Sequence, residues 1–115
     1  MKKLSKATLS ATSIVAFLKA WYEANRTASD KKPDFYCGIT KDPDTRKTQH
    51  ESQDHGDKII EKIVAIECKD VETAINVETN MGQQGFDIGD PRHEGNGAVD
   101  DSKYVYLYRK PKDSK

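Results

Sequence analysis

The sequence predicts a small α/β domain in which helices flank a three-stranded mixed or antiparallel sheet. Three short runs rich in β-branched and aromatic residues have the composition of strands, near residues 35–39, 63–67 and 104–108. Two other segments, near 10–25 and 71–81, repeat apolar residues at helical spacing. A chain of 115 residues suffices for one hydrophobic core. We therefore expect one domain over residues 1–115, with flexible polar tails at 1–8 and 110–115.

The first helix is predicted over residues 10–25. Its apolar residues recur at the spacing of one helical face, and they are Ile14, Phe17, Leu18 and Trp21. We expect this face to cover the sheet. The charged stretch 26–34 contains a proline and is predicted to be a loop.

A strand over 35–39 is followed by a strongly polar segment that we interpret as a helix running from Asp42 to Ser52. Asp42 is a suitable N-cap, and a proline suits the first helical position because the amide it lacks would be unpaired there. Arg46 and His50 are four residues apart and therefore share one helical face. The segment should point both side chains, together with Tyr36, toward one region.

The run from Ile59 to Cys68 is nearly continuous in β-branched residues and predicts a buried strand centred on residues 63–67. Asp70 then caps a second amphipathic helix that should end near Gly82 or Gly85. Glu78 falls on or beside the inward side of this helix, where a carboxylate needs an explanation.

A glycine-rich irregular segment over residues 85–102 leads to the last predicted strand. The strand alternates tyrosine with aliphatic residues, so its two-residue period puts Tyr104, Tyr106 and Tyr108 on one face. His55 and His93 lie in predicted loops, and we interpret both as surface residues.

Charge and cysteine content narrow the class of protein. The formal net charge is zero with 33% charged residues, so a surface that binds nucleic acid throughout is excluded and only a local basic patch is allowed. No apolar run is long enough to span a bilayer. Cys37 and Cys68 have no metal-ligand spacing and are predicted to be buried free thiols, which favours a reducing cytoplasm.

One set of residues resembles the second half of the GIY-YIG nuclease signature, in which a tyrosine-x-glycine strand precedes a helix carrying an arginine and a histidine. The residues at the matching positions are Tyr36, Gly38, Thr40, Arg46 and His50. No strand upstream of Tyr36 resembles the opening strand of that family. Residues 104–109 do, with Val105 and Tyr106 in place of isoleucine and tyrosine.

We therefore hypothesise a circularly permuted member of the superfamily. In such a member the C-terminal strand takes the central place in the sheet, between the Tyr36 strand and the Ile63 strand. Chain ends often lie near one another at the surface, so the rearrangement is structurally inexpensive. The resemblance covers residues 35–109 and implies a GIY-YIG-like fold.

The resemblance also implies a function, the magnesium- or manganese-dependent hydrolysis of a DNA phosphodiester. Glu78 matches the glutamate that is the only protein ligand of the metal ion in that family. Arg46 would stabilise charge on the phosphate, because a guanidinium offers a fixed fork of donors and keeps its proton. Tyr36, Tyr106 and His50 would handle the attacking water and its proton.

Contacts with DNA are expected from a second group of side chains, which are Lys41, Asn96, Lys103 and Arg109. Asn96 matches an asparagine that family members carry after the glutamate helix. The alternative is a catalytically inactive module on the same scaffold that binds a protein or a nucleic acid. Neutral net charge and short length favour that alternative.

Overall fold

The computed structural model describes residues 2–5, 8–89 and 103–111. Within these residues, the predicted class is confirmed, since α-helices flank one mixed sheet. The helices are α1 (Ala11–Asn25), α2 (Pro43–Gln49) and α3 (Val71–Gln84). The strands are β1 (Lys2–Ser5), β2 (Phe35–Thr40), β3 (Ile63–Glu67) and β4 (Tyr104–Arg109).

The C-terminal strand β4 lies inside the sheet, as the permutation hypothesis requires. The strand order is β1-β3-β4-β2, and β4 pairs antiparallel with both of its neighbours. Tyr106 stands opposite Gly38 on β2 and opposite Ala65 on β3. Tyr106 therefore occupies the middle of the sheet and faces the same side as Tyr36.

Within the described parts of the chain, the sheet has four strands rather than the predicted three. The segment Lys2–Ser5, predicted to be part of a flexible tail, forms β1 and pairs parallel with β3. Leu4 packs against the core, whereas Lys3 forms an ion pair with Asp44 on the other side. One apolar residue among lysines gives no strand pattern, and lysine is common on edge strands because it discourages further pairing. The position of β1 is thus decided by long-range pairing.

Side-chain caps begin each helix. The oxygen of the capping side chain accepts a hydrogen bond from the backbone N–H three residues later, at Ser10, Asp42 and Asp70. The last helix ends at Gly85, whose φ of 109° is a left-handed conformation that glycine adopts without strain. The predicted caps and the predicted end of this helix are confirmed.

One face of the sheet carries the main core, under α1 and α3. Apolar side chains from both helices meet alternate residues of the strands, and aromatic edges pack against each other around Phe35. Fully buried members include Ile14, Leu18, Phe35, Val64, Ile66, Val77, Met81 and Leu107.

The opposite face of the sheet is covered by α2 and the turn that follows it. The predicted helix over 42–52 stops at Gln49, and the chain continues as a π-helical turn, His50–Asp54. This segment has no aliphatic side chain, and it docks instead through Pro43 and His50, of which His50 is 2% exposed. Beneath it lie the rings of Tyr106 and Tyr108.

A buried ion pair joins the loop before β2 to the end of β4. Asp30 is completely buried and accepts hydrogen bonds from Arg109, at 2.8 Å from Nε and 3.3 Å from Nη2. The backbone N–H of Thr27 donates a third bond to the same carboxylate, over 2.8 Å. Lys110 was expected in a flexible tail, but its N–H donates to the Asp34 carbonyl. Residues 1, 6, 7 and 112–115 of the expected tails lie outside the described residues.

Cys37 and Cys68 are buried free thiols, as predicted. Burial raises the pKa of both, to about 11 for Cys68, so neither is primed to react as a thiolate. Among the helices described, none combines the length and apolar character needed to cross a bilayer.

Replacing Asp30 by alanine should lower the free energy of unfolding by about 3 kcal/mol, because it leaves the Arg109 guanidinium without its buried partner. That figure is at the lower end of the range for such pairs because the Arg109 side chain remains 24% exposed. Urea denaturation measures the change. The control is Glu23→Ala, which removes an exposed pair with Arg26 at 3.7 Å and should cost less than about 0.5 kcal/mol. Equal stability of the two variants would contradict this assignment.

Candidate active site

Four side chains that the sequence singled out converge on the α2 side of the sheet. Tyr36 comes from β2, Arg46 from α2, His50 from the π-helical turn and Tyr106 from β4. The Tyr36 ring centroid lies 5.0 Å from that of His50 and 6.2 Å from that of Tyr106. Four separate elements thus contribute to one cluster, which we call the tyrosine-histidine cluster.

The packing of Tyr106 explains why a glycine is needed at position 38, two residues after Tyr36. The Tyr106 ring crosses directly over it, and a Cβ built on Gly38 would lie 2.4 Å from the Tyr106 hydroxyl oxygen. Such a contact is impossible without displacing the ring. The missing side chain on β2 therefore makes room for the phenol of the neighbouring strand.

His50 is the most highly connected member of the cluster. Its Nε2 lies 2.7 Å from the Tyr106 hydroxyl, and its Nδ1 lies 2.6 Å from a carboxylate oxygen of Asp54. The Tyr108 hydroxyl is 3.2 Å from the same Nδ1. Burial lowers the pKa of His50, and the positive charge of Arg46 lowers it further, while Asp54 opposes both effects. The imidazole is accordingly neutral at neutral pH.

Arg46 lies against both phenols. Its guanidinium donates a hydrogen bond to the Gln49 side chain over 3.0 Å and favours the ionised form of Tyr106 and of Tyr36. Burial nevertheless raises the pKa of both tyrosines, most strongly that of Tyr106, which is 2% exposed. Both phenols keep their protons in the resting protein, and the half-buried Tyr36 is the more accessible to water.

Glu78 is a buried carboxylate whose charge reaches this cluster. It is on α3 and only 6% exposed. Its charge raises the pKa of Cys37, on the core side of β2, and that of Tyr36, on the other side, although burial is the larger cause for each. Successive strand residues face opposite sides, so the charge of Glu78 is felt on both faces of β2. The acid and the guanidinium therefore both influence the Tyr36 phenol.

The segment after α3 shields the same edge. Asp87 pairs with β2 through two backbone hydrogen bonds, from Cys37 N–H over 2.8 Å and to the Phe35 carbonyl over 3.1 Å. Gly89 follows with a φ of 82°, and a Cβ there would lie 3.3 Å from the Tyr36 hydroxyl oxygen. A glycine at this position lets the chain approach the phenol closely.

The carboxylate of Glu78 is the side chain that could hold the expected magnesium or manganese ion. Within the described ranges, no three His, Cys, Asp or Glu side chains gather as a ligand group. Glu78 would be the single protein ligand, and magnesium accepts this because it retains several waters and takes oxygens from a phosphate.

The residues expected to contact DNA lie in different environments in the structure. Lys41 and Lys103 are exposed and line one shallow depression beside Tyr104, together with Asp42 and Glu67. Arg109 is instead committed to the buried ion pair with Asp30, so its guanidinium has a structural partner. Asn96 and His93 lie outside the described residues.

Sequence reasoning missed three members of the cluster, which are Asp54, His55 and Tyr108. His55 was predicted to be a surface residue, but it is half-buried and its Nε2 lies 2.9 Å from the Tyr108 hydroxyl. The spacing offered a signal, because Tyr108 shares a face with Tyr106 and Asp54 comes four residues after His50.

Gly38→Ala should lower the free energy of unfolding by about 1 to 3 kcal/mol, because the new methyl group forces the Tyr106 ring out of place. This destabilisation should depend on the Tyr106 ring. In a double-mutant cycle with Tyr106→Leu, the free energy of unfolding lost by the double variant should be smaller than the sum of the losses of the two single variants, by at least about 0.5 kcal/mol. Urea denaturation of the four proteins gives the coupling. Gly56→Ala is the control, since open space surrounds Gly56. Its loss of unfolding free energy should be additive with that of Tyr106→Leu. Additive costs for Gly38→Ala would show that the ring lies elsewhere.

The buried neutral imidazole also predicts how stability depends on pH. The folded pKa of His50 is lowered, whereas that of the unfolded chain is about 6.5. The unfolded chain therefore binds this proton first, and the stabilisation present above about pH 6.5 is lost as pH falls through the folded pKa. Between pH 7 and 5 the unfolding free energy of the wild type should fall more steeply than that of His50→Gln. Parallel curves would contradict the burial of a neutral His50.

The chain matches no protein-family model, and the searches of curated proteins and of solved structures returned no match.

Proposed function

We propose that this protein is a metal-dependent endonuclease of the GIY-YIG type that hydrolyses a DNA phosphodiester. The observation that carries the proposal is the convergence of Tyr36, Arg46, His50 and Tyr106, drawn from four elements, on a tyrosine that also feels the charge of Glu78. A guanidinium, a carboxylate and paired phenols around one partly open edge are the groups that phosphodiester hydrolysis needs.

The strand order supports the relationship to that family. β4 carries Val105 and Tyr106 and pairs with the Tyr36 strand, so it can serve as the family's opening strand although it comes last in the chain. Circular permutation accounts for both the incomplete N-terminal motif and the second tyrosine. We infer a permuted member of the superfamily on this basis.

Arg46 would stabilise the phosphate as charge gathers on its non-bridging oxygens. Arginine suits this role because its planar fork binds two oxygens and stays protonated throughout. Its guanidinium is half-buried, so its charge is less screened than that of a surface arginine.

The tyrosines and His50 would manage the proton of the attacking water. Tyr36, the more accessible phenol, would orient the water. As the water oxygen bonds to phosphorus, its proton passes to the Tyr106 oxygen while the Tyr106 proton passes to Nε2 of His50. The bond from phosphorus to the leaving oxygen breaks, and that oxygen takes a proton from solvent.

Glu78 would hold the metal ion at the edge of β2. The bound ion would neutralise developing negative charge and assist the leaving oxygen. Lys41 and Lys103, exposed at the end of the sheet where Tyr104 lies, would contact the DNA backbone. The two buried free thiols suit a protein of the reducing cytoplasm.

The competing function is a catalytically inactive module that binds a protein or a nucleic acid. The neutral net charge favours it, because most nucleases carry an extended basic surface. The ion pair between Arg109 and Asp30 also favours it, because Arg109 is then not available as one of the basic side chains expected to contact DNA.

Nicking of supercoiled plasmid with magnesium or manganese tests the proposal. Arg46→Ala and Glu78→Gln should each reduce the nicking rate by about 10²-fold or more, because each removes a group that acts on transition-state charge. Lys19→Ala is the control: it also removes one positive charge from a helix, but α1 packs on the face of the sheet opposite to the phenols. Its rate should stay near that of the wild type.

Two results would contradict this function. One is the absence of nicking by the wild-type protein at any metal concentration, which would favour the binding module. The other is nicking that Arg46→Ala and Lys19→Ala reduce equally, which would point to non-specific attraction between the protein and DNA.

A further inference from the structure

The hydrogen bonds around His50 have a defined direction. An ionised carboxylate only accepts hydrogen bonds, so Nδ1 of His50, 2.6 Å from Asp54, must carry a hydrogen. Because the imidazole is neutral, Nε2 then has a free lone pair. The Tyr106 hydroxyl, 2.7 Å away, must donate to that lone pair. Arg46 lies against the same hydroxyl and can only donate, which leaves the Tyr106 oxygen as its acceptor.

The turn that carries His50 and Asp54 is held in place by a second acid. The Glu51 carboxylate accepts hydrogen bonds from the Ile60 backbone N–H and from Lys47, both over 2.7 Å. The Glu51 carbonyl accepts another from the Asp57 N–H, also over 2.7 Å. π-helical turns occur often at functional sites, and these bonds fix the geometry of this one.

Several other groups face His50 from the elements packed against it. Arg46 on α2 and His55 after the turn disfavour a positive imidazole, while Asp54 favours it. The phenols of β2 and β4 complete the surroundings, namely Tyr36, Tyr106 and Tyr108. Asp54 is thus the carboxylate that counters the nearby positive charge.

We propose that Asp54 is a positioning residue for the proposed hydrolysis, on which this inference rests: it holds His50 with Nδ1 protonated so that Nε2 can accept the proton of Tyr106. During the reaction one proton moves from water to the Tyr106 oxygen and one from Tyr106 to Nε2. The Nδ1 hydrogen stays between His50 and Asp54, and Asp54 itself gains no proton. Its charge stabilises the imidazolium that forms.

Nitrogen-15 NMR of the histidine rings, without DNA or metal, tests the positioning. In the wild type at pH 7.5, His50 should be protonated at Nδ1 and unprotonated at Nε2. Asp54→Ala should give a mixture of tautomers and a lower pKa for His50, because the favourable carboxylate is gone. The Asp54 side chain is 53% exposed, so this variant should fold, and circular dichroism checks that it does.

Asp44→Ala is the matched control. It removes one exposed carboxylate from the preceding helix, where Asp44 pairs with Lys3 and not with His50. Its tautomer and its His50 pKa should equal those of the wild type.

Plasmid nicking gives the second readout. Asp54→Ala should lower kcat by about 10-fold or more, a part of the roughly 10²- to 10⁴-fold effect of general acid-base catalysis, with KM unchanged. The acid limb of its pH profile should shift in the direction of the altered His50 pKa. A purely structural role would leave that limb in place.

The outcomes separate the inference from the proposed function. Nicking by the wild type, together with a His50 protonated at Nε2 or an unchanged tautomer in Asp54→Ala, would overturn the inference alone. Absence of nicking by the wild type would overturn the hydrolytic function, and with it the catalytic role of Asp54. The expected Nδ1-protonated tautomer in the wild type, together with a mixed tautomer and reduced nicking in Asp54→Ala, would support both the inference and the hydrolytic function.

Discussion

The hydrogen bond between Tyr106 and His50 joins residues that are 56 positions apart, and the candidate site depends on it. It forms only because β4, the last strand in the chain, lies between β2 and β3. That position brings the phenol under α2, where Arg46 and His50 face the sheet. Central placement of β4 is therefore both a feature of the fold and the condition for the cluster.

Close packing between strands sets the remaining geometry. Gly38 leaves space for the Tyr106 ring, and Gly89 lets the chain after α3 approach Tyr36. The charge of Glu78, on α3, acts on residues of both faces of β2. An acid on α3 and a guanidinium on α2 thereby both influence one phenol.

Local signals in the sequence predicted the elements well. The capping aspartates Asp42 and Asp70, the β-branched run before Cys68 and the two-residue period of the last strand each have a cause within a few residues. The central place of β4 followed from the motif resemblance rather than from local pattern. Convergence of Tyr36, Arg46 and His50 was predictable because neighbouring elements carry them.

Features that depend on distant partners were not predicted. β1 has only Leu4 as an apolar residue, and its pairing with β3 spans about half the chain. Arg109 looked like a phosphate contact because its partner, Asp30, is 79 residues away. The change from α-helix to π-helical turn at His50 has no simple sequence signal, so the contact of His55 with Tyr108 could be found only in three dimensions.

Anomalous X-ray scattering from crystals grown with manganese and a short DNA duplex can locate a bound metal ion and show whether Glu78 and Arg46 act on the same phosphate. We expect one ion about 2 Å from a Glu78 carboxylate oxygen, with a DNA phosphate between it and Arg46. A phosphate bound far from Arg46, or a manganese ion on the duplex with none at Glu78, would contradict it.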